Sequence, residues 1–168
     1  MKRLLSTLSC VPVALTAMVI LAPSASAEER QCRGAIGAVT LDNVHVPDGA
    51  TCTLNGTSLK GSLTIGRGAT LTAKSVKVIG NIQSEGHRLV RVYDSRVGGS
   101  IQLEQGGGLD VRRNVVNGDV QVFSNTRGTK TITRNRIDGN LQCKANNPAP
   151  VGGGNIVGGN KEDQCRLL

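Results

Sequence analysis

The seven residues at 116–122, Val-Asn-Gly-Asp-Val-Gln-Val, recur along this chain with the same alternation of residue types. The pattern reads aliphatic, any residue, glycine, small polar, aliphatic, polar, aliphatic. Equivalent stretches occur at 59–65, 78–84, 97–103 and 137–143. Self-similarity at a fixed period indicates a solenoid, in which each repeat buries its apolar face against the next one.

The glycines of these repeats give the period. Gly61, Gly80, Gly99 and Gly118 are each 19 residues apart, and the next two steps are 21 and 20 residues. Each period contains three short alternations of apolar residues, which predict three strands with one buried face. Spacing is constant at two corners, and length varies only in the turn after the first strand. We therefore predict an all-β, parallel β-helix (solenoid) of about six to seven coils, with 19–21 residues per coil, over residues 28–168.

The number of residues per coil also indicates the handedness of the β-helix. Left-handed hexapeptide helices use about 18 residues per coil, so the right-handed form is predicted here. At this point the sequence resembles the pectate-lyase-like right-handed β-helices. Its ending, residues 146–165, is similar to that of uncharacterised exported bacterial β-helix proteins, and its Asp-Gly-Ala and Arg-Gly-Ala turns resemble those of the bactofilins, whose coils are shorter. The resemblance implies fold and export, and it implies no activity because a fold does not determine a function.

The first 27 residues have the features of a secretory signal peptide. Lys2 and Arg3 are followed by an apolar run at 11–21 and by the small residues Ala25-Ser26-Ala27. The apolar run is too short to span a bilayer comfortably. We therefore expect a secreted protein, extracellular or associated with the cell wall, with no membrane span.

Four cysteines follow the predicted signal peptide, as two pairs each about one coil apart. Cys32 and Cys52 are separated by 20 residues, and Cys143 and Cys165 by 22. An even number of cysteines in an exported chain predicts disulfides. We expect each pair to join a terminal coil to its neighbour, where the apolar ends of a solenoid need capping. Whether the molecule is a monomer or associates end to end stays open.

Stacking places equivalent residues of successive coils in columns. Gln83, Gln102, Gln121 and Gln142 form one such column, which predicts an amide ladder that stabilises the parallel strands. Two further columns of short polar residues are expected to satisfy backbone groups at the corners. They are Asn43, Ser62, Asn81, Ser100, Asp119, Asn140 and Asn160, and Asn114, Asn135 and Asn155.

Cations cluster near the corner between the second and third strands. The chain has 20 Lys and Arg against 12 Asp and Glu, which favours anionic partners. The clustered cations, called the basic edge below, are Lys74, Lys77, Arg91, Arg96, Arg112, Arg113, Arg134 and Arg136. These residues are candidates to bind an anionic cell-wall polymer or acidic polysaccharide, since the guanidinium group of arginine suits phosphate and carboxylate. The alternative is an ordinary solvated surface partly neutralised by Asp94 and Asp110.

Catalysis finds little support in the sequence. The aspartates fall in different columns and so do not form a cluster. His45 and His87 lie about two coils apart and are expected at the surface. The sequence contains no metal-binding or cofactor-binding motif. With Tyr93 and Phe123 as the only aromatic residues, bases would lack a stacking platform, so no nucleic-acid partner is expected. We predict a non-catalytic structural or binding protein. The alternative is a minimal polysaccharide lyase or hydrolase of the pectate-lyase-like class, with its site near Asp94 and Asp110.

Overall fold

A computed structural model describes residues 28–168, and the predicted signal peptide at 1–27 lies outside the described residues. Between residues 28 and 168 the chain forms 22 short strands and no helix. The strands are β1 (Glu29–Gln31), β2 (Gly34–Ile36), β3 (Thr40–Leu41), β4 (Asn43–Val46), β5 (Thr51–Asn55), β6 (Ser58–Leu59), β7 (Leu63–Ile65), β8 (Thr70–Lys74), β9 (Lys77–Val78), β10 (Ile82–Glu85), β11 (Leu89–Tyr93), β12 (Arg96–Val97), β13 (Ile101–Glu104), β14 (Gly108–Arg112), β15 (Val115–Val116), β16 (Val120–Phe123), β17 (Lys130–Thr133), β18 (Arg136–Ile137), β19 (Leu141–Lys144), β20 (Val151–Gly153), β21 (Ile156–Val157) and β22 (Lys161–Asp163).

The strands form three parallel sheets, because each strand pairs with the strands one coil before and after it. Sheet 1 has the order β1-β4-β7-β10-β13-β16-β19-β22, sheet 2 the order β2-β5-β8-β11-β14-β17-β20, and sheet 3 the order β3-β6-β9-β12-β15-β18-β21. Each coil contributes one strand to each sheet, which gives about seven turns of a three-sided solenoid. The predicted parallel β-helix is confirmed.

The aliphatic columns form the interior. In sheet 1, Leu63, Ile82, Ile101 and Val120 pair in register on four successive coils, and all four are fully buried. Burying an aliphatic side chain of this size contributes about 1.5–3 kcal/mol. Similar columns come from sheets 2 and 3, so valine, leucine and isoleucine fill the core without aromatic side chains.

The repeated glycine is required because backbones of successive coils come close at that corner. The amide of Gly118 donates to the carbonyl of Gly99 at 3.0 Å, and a Cβ placed on Gly118 would lie 2.9 Å from that carbonyl carbon. Any larger residue would force neighbouring coils apart. The following column of short polar residues satisfies backbone amides as predicted; the amide of Ser100, for example, donates to Asn81 Oδ1 at 2.8 Å.

Both predicted disulfides are present, each between adjacent coils. Cys32 bonds Cys52 with a Cα–Cα distance of 5.6 Å, and Cys143 bonds Cys165 with a Cα–Cα distance of 5.2 Å. They therefore fasten the first and last coils to the stack.

The interior column of sheet 1 has a cation at each end. Arg30 pairs in register with Val44 at the first coil, and Lys161 pairs with Leu141 at the last. Inward charges on an edge strand are a known means of discouraging edge-to-edge association.

Candidate functional site

The basic edge extends over four columns around the corner between sheets 2 and 3. Lys77, Arg96 and Arg136 share a column on the outer face of sheet 3, with Val115 between the last two. The other members occupy the end of the sheet 2 strands, their outer face, or the turn that follows. The structure thus brings most of the predicted cations to one side of the solenoid, but it does not make them a single patch.

The turn between sheets 2 and 3 places Arg113 and Arg134 in left-handed backbone conformation, with φ of 54° and 55°. The same left-handed turn occurs on the other coils, with Gly56 (φ 70°) and Gly154 (φ 68°) at the two ends of the stack and with Ser75 (φ 53°) and Asp94 (φ 52°) on the coils between Gly56 and Arg113. A non-glycine residue in this region costs about 1–2 kcal/mol. Arginine at two adjacent coils is therefore not explained by the backbone, and both side chains are exposed.

Three cations of the basic edge have carboxylate partners. Arg113 donates two hydrogen bonds to Asp94, from Nε at 2.6 Å and from Nη2 at 2.9 Å. Arg112 forms a two-bonded pair with Asp110, and Arg136 lies 3.5 Å from an oxygen of Asp138. The hydrogen bonds from Arg113 hold the pKa of Asp94 below its ordinary value.

The pair formed by Arg112 and Asp110 includes the one tyrosine of the chain. Tyr93 donates its hydroxyl hydrogen to Asp110 Oδ2 at 2.9 Å, and the guanidinium of Arg112 lies 5.9 Å from the centre of its ring. Partial burial, with the bond to Asp110, raises the pKa of Tyr93. Asp110 thus accepts hydrogen bonds from both Tyr93 and Arg112. Its carboxylate neutralises the charge of Arg112, which is the role predicted for Asp110.

The remaining cations have no such partner. Among residues 28–168, no carboxylate lies at ion-pair distance from the following five members of the basic edge: Lys74, Lys77, Arg91, Arg96 and Arg134. Lys77 and Arg96 are in register on adjacent strands β9 and β12, so their charges stand one coil apart. The predicted set therefore divides into neutralised and available cations.

Two cations outside the predicted set line a depression on sheet 2. Arg88 and Arg127 border an open surface depression at Gly108 and Gly128. It continues into a larger one that also contains Arg91. The sequence features that accompany this depression are the glycine run at 106–108 and the turn at 123–128.

The glutamine column has the predicted structural role. Each amide donates to the next coil, from Gln83 to Gln102 at 2.6 Å, Gln102 to Gln121 at 2.7 Å and Gln121 to Gln142 at 2.9 Å. The series ends on Glu162, which accepts from Gln142 at 2.8 Å. These hydrogen bonds join the side chains of successive coils into the predicted amide ladder.

The asparagine column at the second corner is also confirmed as structural. Asn114, Asn135 and Asn155 are buried. The side-chain oxygen of Asn135 accepts from the backbone amide of Asn114 at 3.0 Å, and that of Asn155 accepts from the amide of Asn135 at 3.0 Å. A second internal series, Asn125 and Asn146, was not predicted from the sequence; Asn146 Oδ1 accepts from the amide of Asn125 at 3.1 Å.

The expectation that His87 lies at the surface is wrong. His87 is fully buried, because it occupies the inward-facing turn position equivalent to Gly106, Asn125 and Asn146 on later coils. Neither ring nitrogen has a hydrogen-bond partner among the described residues. His45 does lie on the outer face of sheet 1, where Nδ1 is 2.8 Å from Thr64 Oγ1.

Lys130 is a second buried ionisable residue that the sequence did not reveal. It continues the interior column of sheet 2 in register after Leu109 and is fully buried. Its ammonium donates to the carbonyl oxygens of Gly128 at 2.9 Å and Asn147 at 2.8 Å. Burial lowers the pKa of Lys130.

No protein-family model matches this chain, and no curated protein or solved structure matches it significantly. The structure therefore supports the pectate-lyase-like resemblance only as far as the parallel β-solenoid fold. Residues 28–168 contain no group of three or more His, Cys, Asp or Glu arranged to hold a metal ion. In the same part of the chain, no helix has the length and apolarity needed to cross a bilayer.

Proposed function

We propose that the protein is an exported, disulfide-capped β-solenoid with a non-catalytic structural or binding role at the cell surface or in the extracellular space, and that it binds an anionic polymer along its basic edge. The observation that carries this proposal is the register of Lys77 and Arg96 on adjacent coils. Neither of them has a carboxylate partner among residues 28–168.

The spacing of a parallel sheet suits an extended polyanion. Adjacent strands lie about 4.8 Å apart, so a polymer running along the solenoid axis would meet Lys77 and Arg96 on two successive coils before Val115 interrupts the column. Arg134 lies close along the chain to this column and is also without a carboxylate partner. Its side chain is exposed, so the guanidinium is accessible to a polymer.

The two disulfides support export. Disulfides persist in oxidising compartments and are rare in the cytosol. Together with the predicted signal peptide at 1–27, they support a place outside the cytoplasm, where wall polymers and acidic polysaccharides are accessible.

Retention on immobilised polymers tests the proposal. Purified protein would be applied to polygalacturonate, teichoic acid and neutral dextran between about 50 mM and about 500 mM salt. We expect retention on the two anionic polymers that weakens as salt rises, and none on dextran. Retention that is indifferent to salt, or equal on dextran, would contradict the proposal.

A triple variant locates the surface. Replacing Lys77, Arg96 and Arg134 by glutamine removes three exposed charges, each contributing up to about 1 kcal/mol, so we expect affinity to fall about tenfold or more. A matched control replaces three exposed cations elsewhere, at Arg33, Lys144 and Arg166. Equal loss in both variants would show that net charge, and not the basic edge, retains the polymer.

The non-catalytic part of the proposal has its own test. Asp94 and Asp110 are both held by arginine side chains, which leaves their carboxylates engaged in structure. Incubation with acidic polysaccharides should release neither unsaturated products nor reducing ends. Turnover that disappears on Asp94→Asn would favour the alternative, a minimal polysaccharide lyase or hydrolase.

A further inference from the structure

The outer face of sheet 2 has a depression formed where two coils lack side chains. Gly108 pairs in register with Leu89, and Gly128 lies in the turn before β17. Two adjoining spaces, of about 630 Å³ and about 270 Å³, share Arg88, Gly108 and Gly128 in their walls. This combined depression is called the glycine notch below.

Close backbone contact keeps the floor of the glycine notch free of side chains. A Cβ on Gly128 would lie 3.0 Å from the Cα and the amide nitrogen of Gly108, and Gly128 has a left-handed φ of 68°. A Cβ on Gly108 would lie 3.2 Å from Leu89 Cδ1. Larger residues would therefore be strained at both positions, and the floor stays open.

Three arginines line the glycine notch without acidic partners. Arg88, Arg91 and Arg127 border it, and no carboxylate among residues 28–168 lies at ion-pair distance from any of them. Arg88 Nε donates to Thr70 Oγ1 at 3.0 Å, which orients the side chain and leaves its two terminal nitrogens available.

The acidic residue in the wall does not cancel this charge. Asp110 accepts hydrogen bonds from Arg112 and from the hydroxyl of Tyr93. Thr129 and Thr131 add hydroxyl groups to the lining. The glycine notch therefore offers several positive donors and neutral donors around one open space, with its carboxylate already satisfied.

We propose that the glycine notch is a second, discrete site that binds a single tetrahedral oxyanion, the phosphate or sulfate group of an ester. Guanidinium groups pair with phosphate oxygens through parallel hydrogen bonds. Arg88 borders both spaces, with Arg91 in the wall of the larger one and Arg127 in the wall of the smaller one, so an anion beside Arg88 has a second arginine on either side. A carboxylate presents two oxygens, which one arginine can occupy alone. The site lies on the face of sheet 2 and shares Arg91 and Arg112 with the basic edge, whereas the polymer of the proposed function would follow the column of Lys77 and Arg96 on sheet 3.

Titration with inorganic phosphate, sulfate and acetate at constant ionic strength tests this inference. Binding would be followed by the backbone amide signals of Gly108 and Gly128 in a nitrogen–proton correlation spectrum. We expect saturable shifts of these signals with phosphate or sulfate, and a dissociation constant at least tenfold weaker for acetate. Comparing phosphate with sulfate then shows which ester the site prefers.

Paired variants separate this site from the basic edge. Arg88→Gln with Arg127→Gln should weaken phosphate binding at least tenfold and leave polymer retention nearly unchanged. Lys77→Gln with Arg96→Gln should do the reverse, and the amide spectrum of each variant would confirm that it is folded. The inference is overturned if phosphate, sulfate and acetate act alike, if the wild-type signals do not move, or if both double variants lose phosphate equally.

Discussion

The buried imidazole of His87 makes the stability of this solenoid depend on pH. The side chain is fully buried without a hydrogen-bond partner among the described residues, and its ring lies against the backbone of Gly106. Burial, together with the positive charge of Lys130, lowers the pKa of His87 from 6.5 to about 4. The folded protein therefore holds this ring neutral where the unfolded chain would protonate it.

The size and sign of the effect follow from this difference. Each pKa unit corresponds to about 1.4 kcal/mol, so the interval between 6.5 and about 4 corresponds to about 3 kcal/mol. The unfolded chain binds the additional proton within this interval. The free energy of unfolding is therefore unaffected by this group above about pH 6.5, falls as the pH drops toward 4, and loses nothing further from His87 below that.

Urea unfolding of His87→Leu measures the effect. Leucine is of similar size and has no proton to bind, so we expect the free energy of unfolding to be near that of the wild type at about pH 7.5. At about pH 4 the variant should have lost less of this free energy than the wild type, by up to about 3 kcal/mol. Far-UV circular dichroism would follow unfolding, because the chain has no tryptophan. His45→Gln, which alters the imidazole on the outer face, is the matched control. The reasoning is refuted if both variants lose stability with acid as steeply as the wild type.

Three further predictions concern the coils and their ends. Gly118→Ala should lower the free energy of unfolding by about 1–3 kcal/mol, because the added methyl group would contact the neighbouring backbone. Gly37→Ala is the control: an added Cβ there meets no atom within 4 Å, so it should cost less than about 0.5 kcal/mol. Denaturant titration of both variants measures the difference. Cys143→Ser should lower the free energy of unfolding by about 3 kcal/mol in the absence of reductant. Under reducing conditions the difference between wild type and variant should largely disappear; a difference that persists would show that the substitution acts other than through the disulfide. The double variant Arg30→Leu with Lys161→Leu should self-associate more than the wild type in sedimentation experiments. In the wild type, head-to-tail stacking in register would bring these two cations to about 4.8 Å from each other. An unchanged sedimentation coefficient would show that the two charges do not prevent end-to-end association.

The repeat predicted the fold closely because stacking enforces a relation between distant residues. From the second coil onward, a residue of a strand that faces inward has its equivalent 19–21 positions later, so the aliphatic columns and the glycine column are visible as periods. The amide series from Gln83 to Gln142 follows from the same periodicity. The pairing of the cysteines was likewise predictable, since each pair is separated by about one coil.

Candidate binding residues were predictable as a group but not in their pairing. The sequence placed Arg112 and Arg96 together in one basic edge, yet Arg112 is bound by Asp110 and Arg96 has no acidic partner among residues 28–168. Side-chain pairing depends on which column each residue occupies and on the direction in which its chain extends. Arg88 and Arg127 were missed for a related reason, because the depression between them exists only when Gly108 and Gly128 stack.

By itself, the sequence determined that this chain coils three strands per turn, where its glycines must lie and which cysteines meet, because these properties repeat at a fixed interval. Only the tertiary structure decided what happens where the repeat is broken. His87 turns inward at a corner where the later coils have Gly106, Asn125 and Asn146. Lys130 can occupy the aliphatic column because two backbone carbonyl oxygens from neighbouring turns accept hydrogen bonds from its ammonium group. Such exceptions are set by contacts between coils, which no local pattern of residues specifies.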